Sequence, residues 1–215
     1  MNSEEDDMFD LGLEDLGDFV TITVEELILI VYDASGSMSE SGSSGVPKYK
    51  EAEEATNGFI QRLQQSRAAS SFYVAVAIFN NDVEEVLDTS SVLSLPAESP
   101  IQLPKPHGNT NLDSGLEWAE KKAEEFLSRD SDVESDARKI AIIVLSDGWV
   151  NRGADPKERG MKLANLYTVG AGAFGNAVEE LLRDLVSSAD LFKKDPTPDD
   201  LRGLLERSSL IAMRN

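Results

Sequence analysis

The sequence predicts an α/β domain in which helices cover both faces of a mostly parallel sheet. Two continuously apolar runs, Leu27–Tyr32 and Ile140–Leu145, are typical of strands that are buried on both faces. Segments with apolar residues at helical spacing alternate with strands along the chain, which is the pattern of parallel sheets. The chain has 215 residues, enough for one such domain with a full core. We therefore expect a single domain over residues 21–215, preceded by a different segment at residues 1–20.

The hydrophobic pattern places each element along the chain. Strands are predicted at Leu27–Tyr32 (after an alternating lead-in from Val20 to Val24), Phe72–Phe79, Val83–Leu87, Ile140–Leu145, a segment ending at Val169, and Leu191–Phe192 at an edge. Helices are predicted at Tyr49–Leu63, Leu112–Leu127, Ala177–Val186 and about Pro198 to Ile211, and the end of a short helix is predicted at Met161, running into the fifth strand. Asn80, Asn81 and Asp82 tolerate the positive φ of a hairpin turn, so the second and third strands are expected to pair antiparallel.

The composition narrows the class of partner. The net charge is −20, from 40 acidic and 20 basic residues, and such a surface repels nucleic acid and anionic lipid. No apolar run approaches the roughly 18 residues of a membrane helix. There are no cysteines, which excludes disulfides and thiolate metal sites. The first residues lack the pattern of a secretory signal, so we expect a cytoplasmic protein.

Residues 1–20 differ in character from the rest of the chain. Acidic residues alternate there with large apolar ones, and no Lys or Arg precedes Lys48. This composition is typical of a disordered segment, which either docks on a partner or remains a solvated tail. Its carboxylates could also mask a cation site elsewhere in the same chain.

Five oxygen-bearing residues are expected to meet at one edge of the sheet. Asp33, Ser35 and Ser37 directly follow the first buried strand, Asp147 follows the fourth, and Thr110 precedes a helix. In an open parallel sheet, ligands bind beyond the carboxyl ends of the strands. Two carboxylates and three hydroxyls form an all-oxygen set, which Mg²⁺ prefers, with Mn²⁺ and Ca²⁺ as alternatives. If hydroxyls are the direct ligands and the carboxylates hold the remaining waters, the charge of the cation is only partly neutralised. Such a cation attracts a carboxylate from outside, so a binding role is favoured over an enzymatic one.

These segments resemble the metal-ion-dependent adhesion site of von Willebrand factor A domains, also called integrin I-type domains. The resemblance spans about Leu27 to Ile211 and includes Tyr167-Thr168-Val169-Gly170. It implies a Rossmann-like three-layer sandwich of about six strands, one of them antiparallel. It further implies that Ser35, Ser37 and Thr110 supply hydroxyl ligands, while Asp33 and Asp147 act mainly through water.

Within that family the chain looks similar to intracellular bacterial members of the tellurium-resistance TerY type. This likeness implies a scaffold or adaptor in a cytoplasmic complex, whose partner presents an Asp or Glu and is an AAA+ ATPase, a kinase or a phosphatase. The loop Ser39–Val46 is longer and richer in Ser and Gly than the family pattern. Ser39, Asn109 and Trp149 are expected at the rim that a partner would contact.

Two other functions fit parts of the sequence. A metal beside Asp33 and Asp147 could serve a phosphohydrolase, although position 35 is Ser where such enzymes often place a second Asp. Gly170-Ala171-Gly172-Ala173-Phe174-Gly175 matches the dinucleotide-binding fingerprint, and Asp190 lies 20 residues after its first glycine. The fingerprint normally belongs to the first strand-helix-strand unit, whereas here it follows the fifth strand.

Overall fold

A six-stranded sheet forms the centre of the computed structural model, which describes residues 24–98, 100–130, 137–148, 150–175 and 178–209. The strands are β1 (Glu25–Asp33), β2 (Phe72–Phe79), β3 (Val83–Ser91), β4 (Arg138–Ser146), β5 (Thr168–Ala173) and β6 (Phe192–Lys194). Their order across the sheet is β3-β2-β1-β4-β5-β6. Only β3 is antiparallel to its neighbour, because it returns from β2 through the predicted Asn80–Asp82 turn. The predicted fold class is therefore confirmed.

Two helical layers enclose this sheet. The helices are α1 (Lys48–Gln65), α2 (Leu112–Ser128), α3 (Lys157–Leu166), α4 (Glu179–Leu185) and α5 (Pro198–Ser208). Because successive side chains of a strand point to opposite faces, β1 contributes to two separate cores. Ile28 and Ile30 pack on the side of α1 and α5, whereas Leu29 and Val31 pack on the side of α2 and α4. Both faces of β1 are thus sealed, as its continuous apolar run predicts.

The first strand begins earlier than its apolar run indicates. Glu25 and Glu26 are buried members of β1, although the pattern predicts a strand from Leu27 and a separate lead-in ending at Val24. Their carboxylates have partners in the fold. Glu25 lies 2.5 Å from the Arg129 guanidinium, and Glu26 accepts a 2.9 Å hydrogen bond from Ser209 Oγ. Partners distant in sequence make these acidic positions compatible with burial.

The later helices also depart from the predicted limits. α3 spans Lys157–Leu166, so the helix end predicted from Met161 is its second half. Its first half gives no sequence signal, because the buried residues of the helix are Gly160 and Leu163 alone. α4 is confined to Glu179–Leu185, shorter than predicted. α5 begins in a capping box, in which Thr197 and Asp200 satisfy each other's backbone N–H groups. Ile211, the predicted end of that helix, lies outside the described residues, as does the acidic segment 1–20.

The contact between α2 and the sheet is close at Gly115. A β-carbon built on Gly115 would lie 2.7 Å from Val31 Cγ1 and 3.0 Å from Phe79 Cδ1. Glycine at this position therefore lets α2 pack directly on β1 and β2. Thr110, two residues before the helix, is thereby brought to the edge where β1 ends.

Among the described residues, no helix combines the length and the apolar character that crossing a bilayer requires.

Candidate metal centre

Three chain segments meet at the carboxyl ends of β1 and β4. Asp33 is the last residue of β1, and Asp147 directly follows β4. Both side chains, together with those of Ser35 and Thr110, are almost completely buried. A cavity of about 330 Å³ opens above them, lined by Ser35, Gly36, Ser37, Gly108, Asn109, Thr110, Asp147, Gly148 and Asn151. Four of the five predicted site residues therefore line one cavity, and Asp33 lies beneath it.

The oxygens of these residues converge on one region of space. A β-carbon built on Gly148 would lie 2.7 Å from Thr110 Oγ1, 3.5 Å from Asp33 Oδ2 and 3.6 Å from Ser35 Oγ. Ser37 Oγ lies 3.2 Å from Ser35 Oγ. It also donates a 2.7 Å hydrogen bond to Asp147 Oδ1. Residues from positions 33 to 147 thus form a single oxygen cluster, and the missing side chain of Gly148 leaves its centre open.

Hydrogen bonds fix the Asp33 carboxylate in this cluster. Its Oδ1 accepts from the Ser35 backbone N–H at 2.8 Å, and its Oδ2 accepts from Ser146 Oγ at 2.5 Å. Burial raises the pKa of Asp33, the hydrogen bonds from Ser146 and Ser35 lower it in part, and the negative charge of Asp147 raises it further. A bound cation would offset this poorly solvated charge. Sequence reasoning missed Ser146, although its position one residue before Asp147 placed it at the same strand end.

A lysine that the sequence analysis did not single out occupies the other side of the site. Lys48 Nζ donates to Asp147 Oδ2 at 2.6 Å and lies 3.2 Å from Glu40 Oε2. The Asp147 side chain is 1% exposed and that of Lys48 15% exposed. Burial acts to lower the pKa of Lys48, but the hydrogen bonds and charges of Asp147 and Glu40 outweigh it and leave the pKa raised. No local pattern links residues 99 positions apart; the only sequence signal is that Lys48 is the first basic residue of the chain.

Asparagines hold Thr110 and the rim in place. The Thr110 backbone N–H donates to Asn151 Oδ1 at 3.1 Å, and the Asn151 N–H donates to the Thr110 carbonyl at 3.2 Å. Asn109, a predicted rim residue, lines the cavity and donates through its side chain to Asn81 Oδ1 at 2.9 Å. Asn151 was also missed, because nothing in its local sequence marks it. Its two-point contact fixes the backbone that presents the Thr110 hydroxyl.

The other predicted rim residues are placed differently. Ser39 is half-buried and is not among the described residues that line the cavity. Trp149 lies outside the described residues. Among the described residues, the rim is therefore formed by glycines and asparagines, including Asn109. Ser39 does not belong to it.

The donor set fits a small hard cation. An octahedral Mg²⁺ with metal–oxygen distances of about 2.1 Å places adjacent ligand oxygens roughly 3.0 Å apart, and Ca²⁺ requires roughly 3.4 Å. The 3.2 Å between the Ser35 and Ser37 hydroxyls lies between these values. Among the described residues, no three His, Cys, Asp or Glu side chains gather into a metal site. A cation here would therefore depend on hydroxyl oxygens, as the predicted set does.

The glycine-rich segment after α3 does not form a phosphate-binding turn. Gly170 and Gly172 lie inside β5, whereas the dinucleotide fingerprint places its glycines in the turn after a strand. A β-carbon on Gly170 would lie 2.5 Å from Ser208 Oγ, and one on Gly172 would lie 2.8 Å from Leu145 Cδ2. These glycines serve the close packing of β5 against α5 and β4. Gly170 and Gly172 therefore do not have the positions that the dinucleotide fingerprint requires.

The fold and the site define a class of protein: an open, mostly parallel α/β domain with an all-oxygen cluster at the carboxyl edge of its sheet. The sequence profile of the von Willebrand factor type A domain matches residues 28–207, which is most of the chain. The chain therefore belongs to the von Willebrand factor type A domain family. Among the curated proteins, none matches this chain.

Solved structures of the same family share the fold. The proximal thread matrix protein 1 of the mussel byssus is similar with 21% identity and a TM-score of 0.61, over 87% of this chain and 47% of that one. A von Willebrand factor type A protein from Catenulispora acidiphila has 18% identity and a TM-score of 0.63, over 86% and 42%. The corresponding domain of the pilus tip protein Mfa5 from Porphyromonas gingivalis has 12% identity and a TM-score of 0.64, over 89% and 95%. The chain thus spans about half the length of the first two proteins. The mussel protein has also been solved with a zinc-occupied adhesion-site motif.

Proposed function

We propose that this domain binds an acidic side chain of a partner protein through a divalent cation, with Mg²⁺ preferred and Mn²⁺ or Ca²⁺ as alternatives. Ser35, Ser37 and Thr110 would hold the ion directly, and Asp33 and Asp147 would hold its remaining waters. The observation that carries this proposal is the convergence of oxygens around the open position at Gly148. The ion would supply an electrophilic position for a carboxylate.

Family membership supports the proposal in two ways. Domains of this family often serve in adhesion or protein–protein interaction, and a similar structure holds zinc at its adhesion-site motif. The cavity of about 330 Å³ is small, and none of the described residues that line it carries a large apolar side chain. Small organic ligands usually need a largely apolar pocket. A single carboxylate from another protein suits this polar site better than a drug-sized molecule.

The first test measures the metal itself. Titration calorimetry with Mg²⁺ and Mn²⁺ should give saturable binding of one ion to the full chain. Asp147→Ala should weaken that binding at least tenfold, in line with the loss of groups that orient a metal site, whereas Asp130→Ala, which removes an exposed carboxylate, should not. Absence of saturable binding by the unmodified protein would contradict the proposal.

The second test links the metal to a partner. Proteins captured by the immobilised full chain from its native extract should be retained in Mg²⁺, released by EDTA and recovered after Mg²⁺ is restored. Asp147→Ala should capture none of them, and Asp130→Ala should behave as the unmodified chain does. Capture that is equal in Mg²⁺ and in EDTA would remove the cation from the mechanism.

The proposed activity is binding without turnover. No described cluster of three carboxylate or imidazole side chains accompanies the site, and position 35 carries a hydroxyl where metal-dependent phosphohydrolases often have a second acid. The phosphohydrolase alternative predicts Mg²⁺-dependent hydrolysis of p-nitrophenyl phosphate that Asp33→Asn abolishes. Detection of that activity would replace the binding function proposed here.

The proposed setting is a cytoplasmic complex in which the domain acts as a scaffold or adaptor beside an AAA+ ATPase, a kinase or a phosphatase. The cysteine-free sequence supports a reducing compartment. Structural relatives include a pilus tip protein, so an adhesive role at the cell surface is the competing setting. Fractionation of native cells with an antibody against the domain separates the two, since a cell-surface signal would contradict the cytoplasmic proposal.

A further inference from the structure

The loop between β1 and α1 has an internal structure that brings Lys48 to the metal site. It closes on itself through hydrogen bonds from the Gly42 N–H to the Val46 carbonyl at 2.7 Å and from the Lys48 N–H to the Glu40 carbonyl at 3.0 Å. Lys48 is the first residue of α1. The loop Ser39–Val46 therefore lies two residues before Lys48, whose ammonium contacts Asp147.

A buried carboxylate of α1 holds this loop. Glu51 is completely buried and accepts from the backbone N–H groups of Ser43 at 3.2 Å and Ser44 at 2.5 Å. A β-carbon on Gly42 would overlap the Glu51 carboxylate, so the loop lies directly on that side chain. Hydrogen bonds from backbone N–H groups to a buried carboxylate are strong. The loop therefore has a defined conformation, and Lys48 is held at its end.

The position of Lys48 changes the charge of the site. Asp33 and Asp147 carry two formal negative charges, but in the proposed arrangement they hold the waters of the cation and neutralise it only in part. The ammonium of Lys48, 2.6 Å from Asp147 Oδ2, adds one positive charge. Glu40 is also near this ammonium, but its side chain is 72% exposed, so water screens its charge far more than that of buried Asp147. The immediate surroundings of a loaded site therefore carry a net positive charge.

We infer that Lys48 is a built-in second cation of this site, which weakens the binding of the metal and strengthens the binding of an acidic ligand. Before loading, the ammonium competes with the metal for Asp147. After loading, it adds to the field that attracts an incoming carboxylate, because two positive groups now face it. This inference rests on the proposed function and specifies how the same site is adjusted toward its ligand.

A purely structural ion pair predicts a different result. If Lys48 only stabilised the fold around Asp147, its removal would loosen the site and weaken the binding of the metal and of the acidic ligand together. The two roles therefore predict opposite changes in metal affinity when Lys48 is removed. A loss of stability would weaken metal binding and cannot produce tighter binding.

The test uses the full chain with Lys48→Met, and with Lys48→Arg as a control that keeps the charge. Mn²⁺ alone is titrated by calorimetry or electron paramagnetic resonance. We expect Lys48→Met to bind Mn²⁺ roughly tenfold more tightly than the unmodified chain, a change of about 1.4 kcal/mol. Lys48→Arg should stay close to the unmodified chain. Thermal unfolding in EDTA checks that each variant is folded, and Lys48→Gln replaces Lys48→Met if the latter is not.

The second arm measures the acidic ligand with acetate as the probe. Acetate that displaces water from bound Mn²⁺ lowers the water-proton relaxation rate, and Lys48→Met should need about tenfold more acetate for half of that change. Tighter Mn²⁺ binding together with weaker acetate binding supports the inference. Mn²⁺ binding that is unchanged or weaker in Lys48→Met overturns the inference alone, whereas an unmodified chain that binds no Mn²⁺ overturns the proposed function and this inference with it.

Discussion

A substitution at Gly148 can block the proposed metal site without replacing any of the five oxygen-bearing residues. In Gly148→Ala the new methyl group would lie 2.7 Å from Thr110 Oγ1, whereas ordinary contact begins at 3.4 Å. The hydroxyl would have to move by about 0.7 Å, far more than the roughly 0.1 Å range of Mg²⁺–oxygen distances. The same methyl group would also stand among the Asp33 and Ser35 oxygens.

We expect Gly148→Ala to lower the affinity for Mg²⁺ and Mn²⁺ at least a hundredfold, or about 2.7 kcal/mol. The fold itself should change little. Gly148 is not among the glycines with positive φ, so its backbone accepts alanine with an effect on the free energy of unfolding within about 1 kcal/mol. In thermal unfolding, Mg²⁺ at a hundred times its dissociation constant should stabilise the unmodified chain by about 2.7 kcal/mol, and should not stabilise the variant.

Gly36→Ala is the matched control for this experiment. Gly36 belongs to the same site loop, and a β-carbon built there meets no atom within 4 Å. The same chemical change should therefore leave metal affinity within about twofold of the unmodified chain, because it fills open space. The reasoning is refuted if Gly148→Ala binds Mn²⁺ as well as the unmodified chain does, or if Gly36→Ala loses as much affinity.

Two further predictions concern residues that support the fold and the site. Asn151→Ala removes the side-chain acceptor of the Thr110 N–H and should weaken Mn²⁺ binding roughly tenfold. Calorimetry measures this affinity, and an unchanged value would show that the Thr110 backbone does not need the Asn151 side chain. Hydrogen bonds from the side chain and backbone of Thr197 lower the pKa of Asp200, so its carboxylate stabilises the fold above the unfolded pKa of about 4 and loses that effect as pH falls through the lowered value. Urea unfolding of Asp200→Asn should therefore show a deficit in the free energy of unfolding at pH 7, small because solvent screens this partly exposed carboxylate. The deficit should close as the pH falls below about 4; a deficit that persists in acid would contradict the assignment.

The elements that the sequence predicts best are those whose signals are local. The apolar runs of β1 and β4 must be covered on both faces wherever they occur, and acidic or hydroxyl residues at their ends must then share an edge. The position of Thr110 needs one more step, since it depends on how closely α2 packs at Gly115. The convergence of these residues was predicted on that basis, and the structure brings them together; their binding of a metal stays a prediction.

The features that the sequence does not reveal depend on pairs that are distant along the chain. Glu25 and Glu26 lie outside the strand that the apolar run predicts, and only the partners Arg129 and Ser209 explain their burial within it. Lys48 reads as a surface residue at a helix start, because nothing near it indicates Asp147. Which charged side chains are buried is thus less predictable than which apolar ones are, since a single partner distant in sequence can make the burial of a charged side chain favourable.

The two outer strands limit how copies of this domain can combine. β3 carries Glu84 and Glu85 on its exposed part, and β6 at the opposite edge is only three residues long. Unpaired strand edges are the usual template for fibril growth, and charge or brevity prevents another chain from extending them. Many copies could therefore be crowded side by side in a larger assembly without polymerising through their backbones.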